Sequence, residues 1–359
     1  MIKINTTNVN NNISKKSPSF KADNASVNTN TNQSQEQKQT LYSFKNQNIY
    51  QYKNALNPNT KNYLSIYYYN DTHGNSDQMA HILSSAKTYK NNIKNQPITS
   101  FVLSAGDNCS GGDYKKNEFI FDLMQNIIGV DASAVGNHET DAASEGFYEA
   151  AKNKNFSFIA TNVDFDDDNP MKDIVKKSII KEQNGIKYGF IGTMPIDFKM
   201  CTKKEVQKGI NVKDFENTKK ALQNEINNLK KQGINRIIML SHVGYETDKK
   251  LASELDGVDI IIGGHTHSVV EGVQNDENLV KSKSGEPVII TQAGENGKYY
   301  GILNVEFDNN GILKTLNNNL IQTTNHFKSP IIEYVKQKNL GESPIVAKLK
   351  EIEPLPLSR

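Results

Sequence analysis

Five short apolar runs, each followed at once by a polar segment, constrain the fold of this chain more than any other feature. The polar segments hold five of the seven histidines and lie at residues 70–74, 106–108, 136–139, 241–242 and 264–267. Short apolar runs of this kind predict buried strands. Because the carboxyl ends of parallel strands meet in one crevice of an open α/β sheet, the pattern predicts an enzyme with a metal centre at that edge.

The side chains in these segments are of the kinds that bind metal cations. Seven of them are candidate ligands: Asp71, His73, Asp107, Asn137, His242, His265 and His267. Asp71 and His73 are two residues apart, so at an extended strand end both point to the same side. Asp107 follows a glycine, where its carboxylate can bridge two cations. Seven ligands suffice for two metals with positions left for water and substrate, which is more than a closed structural zinc needs.

The donor atoms also restrict which metal the centre can hold. Nitrogen and oxygen donors without a thiolate indicate Mn, Zn, Fe or Co rather than copper or an iron–sulfur cluster. The chain has only two arginines, Arg236 and Arg359, so a phosphate would have to be held by metals, histidine, asparagine or lysine. The two cysteines, Cys109 and Cys201, are too few for a disulfide framework, and the sequence leaves their pairing open.

Charge and hydropathy exclude several classes of partner. The 42 basic and 40 acidic residues nearly cancel, so no bulk electrostatic attraction to nucleic acid or to a membrane surface is expected. No apolar run approaches the length of a transmembrane helix, and the N-terminus shows no readable signal peptide. The sequence leaves the location open, with the cytoplasm only slightly favoured over an exported location, and the expected partner is a small molecule. The oligomeric state is left open.

The chain divides by composition into three parts. Residues 1–60 are rich in Asn, Thr, Ser, Gln and Lys, which predicts a disordered tail. A catalytic domain is expected over 61–325, and an extension or linker over 326–359. Within the domain, periodicity predicts a mixed α/β layer structure with a late antiparallel portion. Its predicted strands are 63–69, 101–104, 132–135, 158–160, 174–181, 186–192, 237–240, 258–262, 288–291 and 299–307, with helices around 79–86, 119–127, 214–231 and 250–254.

Taken in order, the strings Asn-Asp-Thr-His-Gly, Gly-Asp, Gly-Asn-His-Glu-x-Asp, Ser-His and Gly-Gly-His-Thr-His resemble those of the calcineurin-like metallophosphoesterases. Within that family they resemble the bacterial branch of 5'-nucleotidases, UDP-sugar hydrolases and 2',3'-cyclic-nucleotide phosphodiesterases. The resemblance covers about residues 63–310 and implies a four-layer β-sandwich flanked by helices. It implies one metal on Asp71, His73, Asp107 and His267, and a second on Asp107, Asn137, His242 and His265. It also implies that His138, paired with Asp141, stabilises the transition state.

The resemblance further implies the reaction. Two cations would acidify a bridging water, and the resulting hydroxide would attack phosphorus while His138 protonates the leaving oxygen or stabilises its charge. Nucleoside monophosphates are the expected substrates, with 2',3'-cyclic nucleotides and UDP-sugars as alternatives. Similar nucleotidases carry a second domain that contacts the nucleoside, and this chain ends where that domain would begin. A non-catalytic metal-holding domain is the alternative of another class, although all seven ligands, His138 and Asp141 are intact.

Several residues outside the ligand set carry expectations of their own. His81 and His326 are expected at the surface, and Cys109 is expected to be a packed small residue near the centre. The aromatic residues of the strand at 63–69 are expected to serve core packing rather than base recognition. For Glu139, a role in orienting the centre and a purely structural hydrogen-bonding role both remain open.

Overall fold

The computed structural model describes residues 60–323, except 95 and 97, together with two short strands at 41–45 and 48–52. The strands in chain order are β1 (Leu41–Lys45), β2 (Asn48–Tyr52), β3 (Tyr63–Tyr69), β4 (Thr99–Ser104), β5 (Ala132–Ala134), β6 (Ser157–Ile159), β7 (Val163–Phe165), β8 (Val175–Lys176), β9 (Ser178–Gln183), β10 (Ile186–Thr193), β11 (Ile210–Val212), β12 (Ile237–Ser241), β13 (Ile260–Ile262), β14 (Leu279–Lys281), β15 (Pro287–Thr291), β16 (Tyr299–Phe307) and β17 (Leu313–Gln322). The α-helices are α1 (Ser76–Ile93), α2 (Tyr114–Leu123), α3 (Ala143–Ala151), α4 (Met171–Ile174), α5 (Phe198–Cys201), α6 (Phe215–Lys231) and α7 (Tyr245–Glu254). A π-helical turn, Met124–Ile128, extends α2, and 3-10 turns lie at His138–Thr140 and Lys204–Gln207.

The strands form two large sheets and one small ribbon. The first sheet has the order β2-β1-β17-β16-β3-β4-β5-β6-β8, and the second has the order β14-β15-β13-β12-β10-β9. The ribbon pairs β7 with β11. Strands β3 to β6 run parallel to one another, as do β10, β12, β13 and β15. In each sheet the parallel strands therefore end at one edge, which is where the predicted ligand segments begin.

The side chains of β3 show how the sheets pack. All seven residues of this strand are buried. Leu64, Ile66 and Tyr68 belong to the core between the two sheets, whereas Tyr67 and Tyr69 belong to the core beneath the helices. Side chains alternate between the two faces of a strand, and both faces are covered, so the sequence reads as a continuous apolar and aromatic run. The tyrosines serve packing, as the sequence predicts.

Helices cover the outer face of each sheet. Residues of α1, α2 and α3 pack against the first sheet, and residues of α6 and α7 pack against the second. On α6, Leu222, Ile226 and Leu229 form the buried stripe, and the side chain of Asp214 accepts the N–H of Asn217 at the helix start. The result is a helix–sheet–sheet–helix arrangement, which confirms the predicted four layers. No helix in the described part of the chain is long and apolar enough to cross a membrane.

The structure differs from the predicted tail at two strands. Residues 41–45 and 48–52 form a hairpin, and β1 pairs antiparallel with β17, with Tyr42 opposite Leu316. Aromatic residues at alternate positions of both strands favour β structure, and β17 offers an edge on which they can pair. The other residues of 1–59, and the whole extension at 326–359 with His326, lie outside the described residues.

Three further expectations need correction. The single strand predicted over 174–181 is divided: Ile174 ends the short helix α4, Val175–Lys176 form β8 of the first sheet, and β9 of the second sheet begins at Ser178. Strand β17 was not predicted, since three consecutive asparagines interrupt its apolar pattern. His81 is buried on α1 rather than exposed at the surface.

Candidate metal centre

Five strand ends bring the predicted ligands to one edge of the two sheets. Asp71 and His73 follow β3, Asp107 follows β4, and Asn137 follows β5. His242 follows β12 directly, and the His265–His267 pair follows β13. Side chains that lie up to 196 positions apart in the sequence, those of Asp71 and His267, thereby share one metal-binding group. The parallel topology, rather than any local motif, brings them together.

The first group of donors consists of Asp71, His73 and His267. Their ligand atoms all lie within 4.8 Å of one another. Nε2 of His267 is 3.4 Å from Oδ1 of Asp71, and Nε2 of His73 is 4.0 Å from the same oxygen. The rings of His73 and His267 meet edge to face with centroids 5.1 Å apart. A divalent cation fits among three such donors.

Asp107 connects this group to a second one. Its Oδ2 lies 3.5 Å from Nε2 of His73 and 3.0 Å from Nε2 of His242. Asp71, Asp107 and His242 form a further set within 4.8 Å, and all three are buried. Burial opposes charge on His242, but the carboxylates of Asp107 and Asp71 raise the pKa of its imidazole. This strongly negative field is one that a cation would neutralise.

Two buried donor atoms test whether a metal fits here. Nε2 of His242 and Oδ1 of Asn137 have no hydrogen-bond partner. Nε2 of His242 lies 3.0 Å from Oδ2 of Asp107, so a nitrogen and a carboxylate oxygen stand where a shared cation would bind both. Leaving a buried polar atom unpaired costs about 1–3 kcal/mol. Both atoms belong to residues predicted as metal ligands, so the donor set fits a divalent metal.

The backbone at the ligands is unusual. Asp71, His73, Asp107, His265 and His267 all have φ between 50° and 76°, in the left-handed region that residues with a Cβ seldom occupy. Strained conformations of this kind cluster at functional sites, where the surrounding structure holds them in place. Five of the seven candidate ligands share this backbone conformation. It ends the strands and turns the ligand side chains towards the centre.

Glu139 holds the loops of the centre together. Its carboxylate accepts the backbone N–H groups of Asp107, Asn108 and Gly136, at 2.7–2.8 Å. Burial and the charge of Asp107 raise the pKa of Glu139. A Cβ on Gly136 would lie 2.2 Å from Oδ1 of Asp107, so only glycine allows this approach. Glu139 is thus an orienting group one residue away from His138, with no place among the clustered donors.

His138 stands beside the donors. Its Nδ1 lies 2.7 Å from Oδ2 of Asp141, and its backbone N–H donates to Oδ1 of Asp107. The hydrogen bond to Asp141 raises the pKa of His138 to about 9. The ring is 37% exposed and meets that of His73 with centroids 5.1 Å apart. The imidazole of His138 therefore faces the solvent side of the clustered donors.

His265 is placed differently from the other ligands. Its backbone N–H donates to the carboxylate of Asp71, and its ring lies 5.2 Å from that of His242. Its Nε2, however, is 3.1 Å from Oδ1 of Asp197, so only Nδ1 is left for the centre. A histidine that binds a metal through one nitrogen commonly donates its other N–H to a carboxylate, which fixes the tautomer.

Asp197 and Asn70 contribute to the site without having been predicted. Asp197 is at the start of α5, four residues after β10 ends, so it also follows a buried strand. Asn70 donates to Oδ2 of Asp71 and to the carbonyl of Gly294, which joins the ligand loop after β3 to the loop after β15. The sequence signal for Asp197 is its position as a polar residue shortly after the buried strand β10. Cys109 is buried near the centre, as expected, and both cysteines are free.

Similar proteins share this domain. Trifunctional nucleotide phosphoesterase protein YfkN of Bacillus subtilis (strain 168) is 31% identical over 297 residues, which cover 72% of this chain and 19% of that protein. The 5'-nucleotidase of Diplobatis ommata is 29% identical over 250 residues, covering 64% of this chain and 42% of that protein. This chain thus spans less than half the length of either relative.

The fold is shared as well. The crystal structure of a 5'-nucleotidase precursor from Thermus thermophilus aligns with a TM-score of 0.66 at 23% identity, over 80% of this chain and 58% of that one. The family model for the calcineurin-like phosphoesterases matches residues 64–269. Since that match runs from the first central strand to the segment beyond His267, it includes all seven candidate ligands, and the chain belongs to the calcineurin-like phosphoesterase family.

Proposed function

We propose that this chain hydrolyses phosphate esters of nucleotides with the help of two divalent cations. The observation that carries the proposal is the convergence of donors from five strand ends, with two buried donor atoms left unpaired. One cation would lie on Asp71, His73, Asp107 and His267, and the other on Asp107, Asn137, His242 and His265. The family uses divalent metal ions, and nitrogen and oxygen donors suit Mn, Zn, Fe or Co.

The bound cations would supply Lewis acidity and an acidified water for the attack on phosphorus. The residues of the chain supply the rest. His138, protonated near neutral pH, donates a proton to the leaving oxygen, and Asp141 orients its ring. Positioned acid catalysis of this kind contributes roughly 10²–10⁴-fold to the rate. Asn70, Glu139 and Asp197 fix the ligand loops so that the donors do not have to rearrange when substrate binds.

The nucleotide part of the proposal is supported by the names of the relatives. The similar proteins are a nucleotide phosphoesterase and 5'-nucleotidases. Nucleoside monophosphates are therefore the first substrates to test, followed by 2',3'-cyclic nucleotides and UDP-sugars. Among the described residues no arginine lies near the centre, since Arg236 bonds to Asn62 and Asp308 on the loops at the opposite strand ends.

A phosphate-release assay tests the proposal. The panel contains nucleoside monophosphates, 2',3'-cyclic nucleotides, UDP-glucose and p-nitrophenyl phosphate, each with Mn²⁺ and with a chelator. The expected result is metal-dependent hydrolysis with a preference for nucleoside monophosphates. Equal rates for all esters would contradict nucleotide specificity. Metal binding without release of phosphate from any ester would favour a non-catalytic binding domain.

A further inference from the structure

A third group of donor atoms lies beside the metal centre, in the turn that follows β10. Asp197 precedes the short helix α5 and Cys201 ends it, so the two side chains are four residues apart and lie on one side of a helical turn. They meet His265 from the loop after β13. The carboxylate, the thiol and an imidazole nitrogen all lie within 4.8 Å of one another. Nε2 of His265 is the nitrogen that Asp197 contacts, at 3.1 Å.

We propose that Asp197, Cys201 and Nε2 of His265 bind one thiophilic divalent cation, such as Zn²⁺ or Cd²⁺, at a site distinct from the catalytic pair. Zinc commonly takes three protein ligands from cysteine, histidine and carboxylate side chains and keeps a fourth position for water. Sulfur ligands select soft cations. The donor groups around Asp71 and Asp107 contain nitrogen and oxygen alone, so the thiol makes this third group chemically different from them.

The third group is open to solvent. Cys201 is an exposed residue, and the Asp197 side chain is 42% exposed. A cation can therefore reach it without passing through the catalytic centre. Partial burial of the thiol and the charge of Asp197 raise the pKa of Cys201 to about 12. A bound cation would displace the thiol proton into solvent.

His265 links the new site to the catalytic one. A neutral imidazole has one N–H and one lone pair. The proposed function uses the lone pair of Nδ1 for a catalytic cation, and the proton then sits on Nε2, facing Asp197. A thiophilic cation on Nε2 requires the opposite tautomer. The two cations therefore compete for His265, and the coupling is reciprocal. This competition rests on the proposed function, whereas the thiophilic site itself does not.

Absorption spectroscopy with Cd²⁺ tests the site directly. A thiolate bound to Cd²⁺ gives a charge-transfer band in the ultraviolet, and the chain has only two cysteines, Cys109 and Cys201. The full chain is titrated with Cd²⁺ in the presence of saturating Mn²⁺. The expected result is a band that saturates at one Cd²⁺ per chain, disappears in Cys201→Ser, and persists in the matched control Cys109→Ala. A band that survives in Cys201→Ser, or no band in the unmodified chain, would overturn the proposal.

A second titration tests the competition for His265 separately from the existence of the Cd²⁺ site. The midpoint of the Cd²⁺ band is measured at increasing Mn²⁺ concentrations. Simple competition raises the midpoint about tenfold for each tenfold rise in Mn²⁺ beyond saturation. A midpoint that does not move would overturn the competition for His265 and leave the thiophilic site intact. If the band behaves as expected but the chain releases no phosphate, the proposed hydrolysis fails while the Cd²⁺ site stands.

Discussion

Oδ2 of Asp141 lies 2.7 Å from Nδ1 of His138 and at the same distance from the backbone nitrogen of Gly111. The backbone N–H of Gly111 therefore fixes the Asp141 carboxylate in the position from which it orients the imidazole of His138. This arrangement leaves Nε2 of His138 as the atom that can reach a leaving group. In the proposed function His138 acts on the leaving group, whereas its neighbour in the sequence, Asn137, is a metal ligand.

His138→Ala is expected to lower turnover by roughly 10²–10⁴-fold while leaving metal content intact, because in the proposed function His138 acts on the leaving oxygen and is not a ligand. The loss should be large with AMP and smaller with p-nitrophenyl phosphate, whose leaving group departs without protonation. Asp141→Asn should follow the same pattern with smaller amplitude. Loss of a metal in His138→Ala, or equal losses on both esters, would show that the histidine is a ligand or a general phosphate-binding group.

Asp107→Asn is expected to weaken both metal sites together, because Asp107 lies within reach of His73 on one side and His242 on the other. Metal analysis after dialysis measures the occupancy of both sites. Asp168→Asn, an exposed change of the same chemistry, serves as the control and should retain the normal metal content. One fully occupied site in Asp107→Asn would argue against a bridging carboxylate.

Gly301→Ala is expected to destabilise the fold by at least about 1–3 kcal/mol, the usual cost of overpacking a core. Gly301 faces Tyr68 across strands β16 and β3, and an added Cβ would lie 1.8 Å from the tyrosine ring. Tyr68 cannot easily move, because its hydroxyl bonds to Thr291 and Asn318. Denaturant unfolding measures the loss. Gly112→Ala is the matched control, since its Cβ would make only ordinary contacts and should change stability by under about 0.5 kcal/mol.

Asp259 should make stability depend on pH. Burial raises the pKa of this carboxyl well above its usual range, while one oxygen accepts the N–H of Ile237. Above about pH 4 the unfolded chain has lost this proton and the folded chain still holds it, so stability falls as the pH rises, by at most about 1.4 kcal/mol per unit. The fall continues until the folded-state pKa is reached.

Asp259→Asn keeps an acceptor for Ile237 and removes the titration. Relative to the unmodified chain, the variant is expected to gain stability at about pH 8 and to gain little at about pH 4. Urea unfolding at the two pH values provides the comparison. The same difference between the two proteins at both values would mean that Asp259 ionises in the folded chain as it does in the unfolded one.

The sequence predicts the strands that carry the centre because each is an apolar run that ends in polar ligand types. Asp197 was missed for the opposite reason: it stands alone after β10, and its partner His265 is 68 residues away. Strand β17 was missed because Asn317 and Asn318, although buried, have the composition of a loop. The buried side chain of Asn318 bonds to Tyr68 and Thr291, partners that only the assembled fold supplies.

The left-handed backbone at Asp71, His73, Asp107, His265 and His267 has a consequence for heat resistance. Each such conformation costs a residue other than glycine roughly 1–3 kcal/mol, so five of them approach the whole net stability of a typical domain, about 5–15 kcal/mol. A cation that binds only the folded chain raises the free energy of unfolding, and it does so more when its affinity is higher. The melting temperature of this protein should therefore rank divalent cations by how well they fit the centre, independently of any substrate.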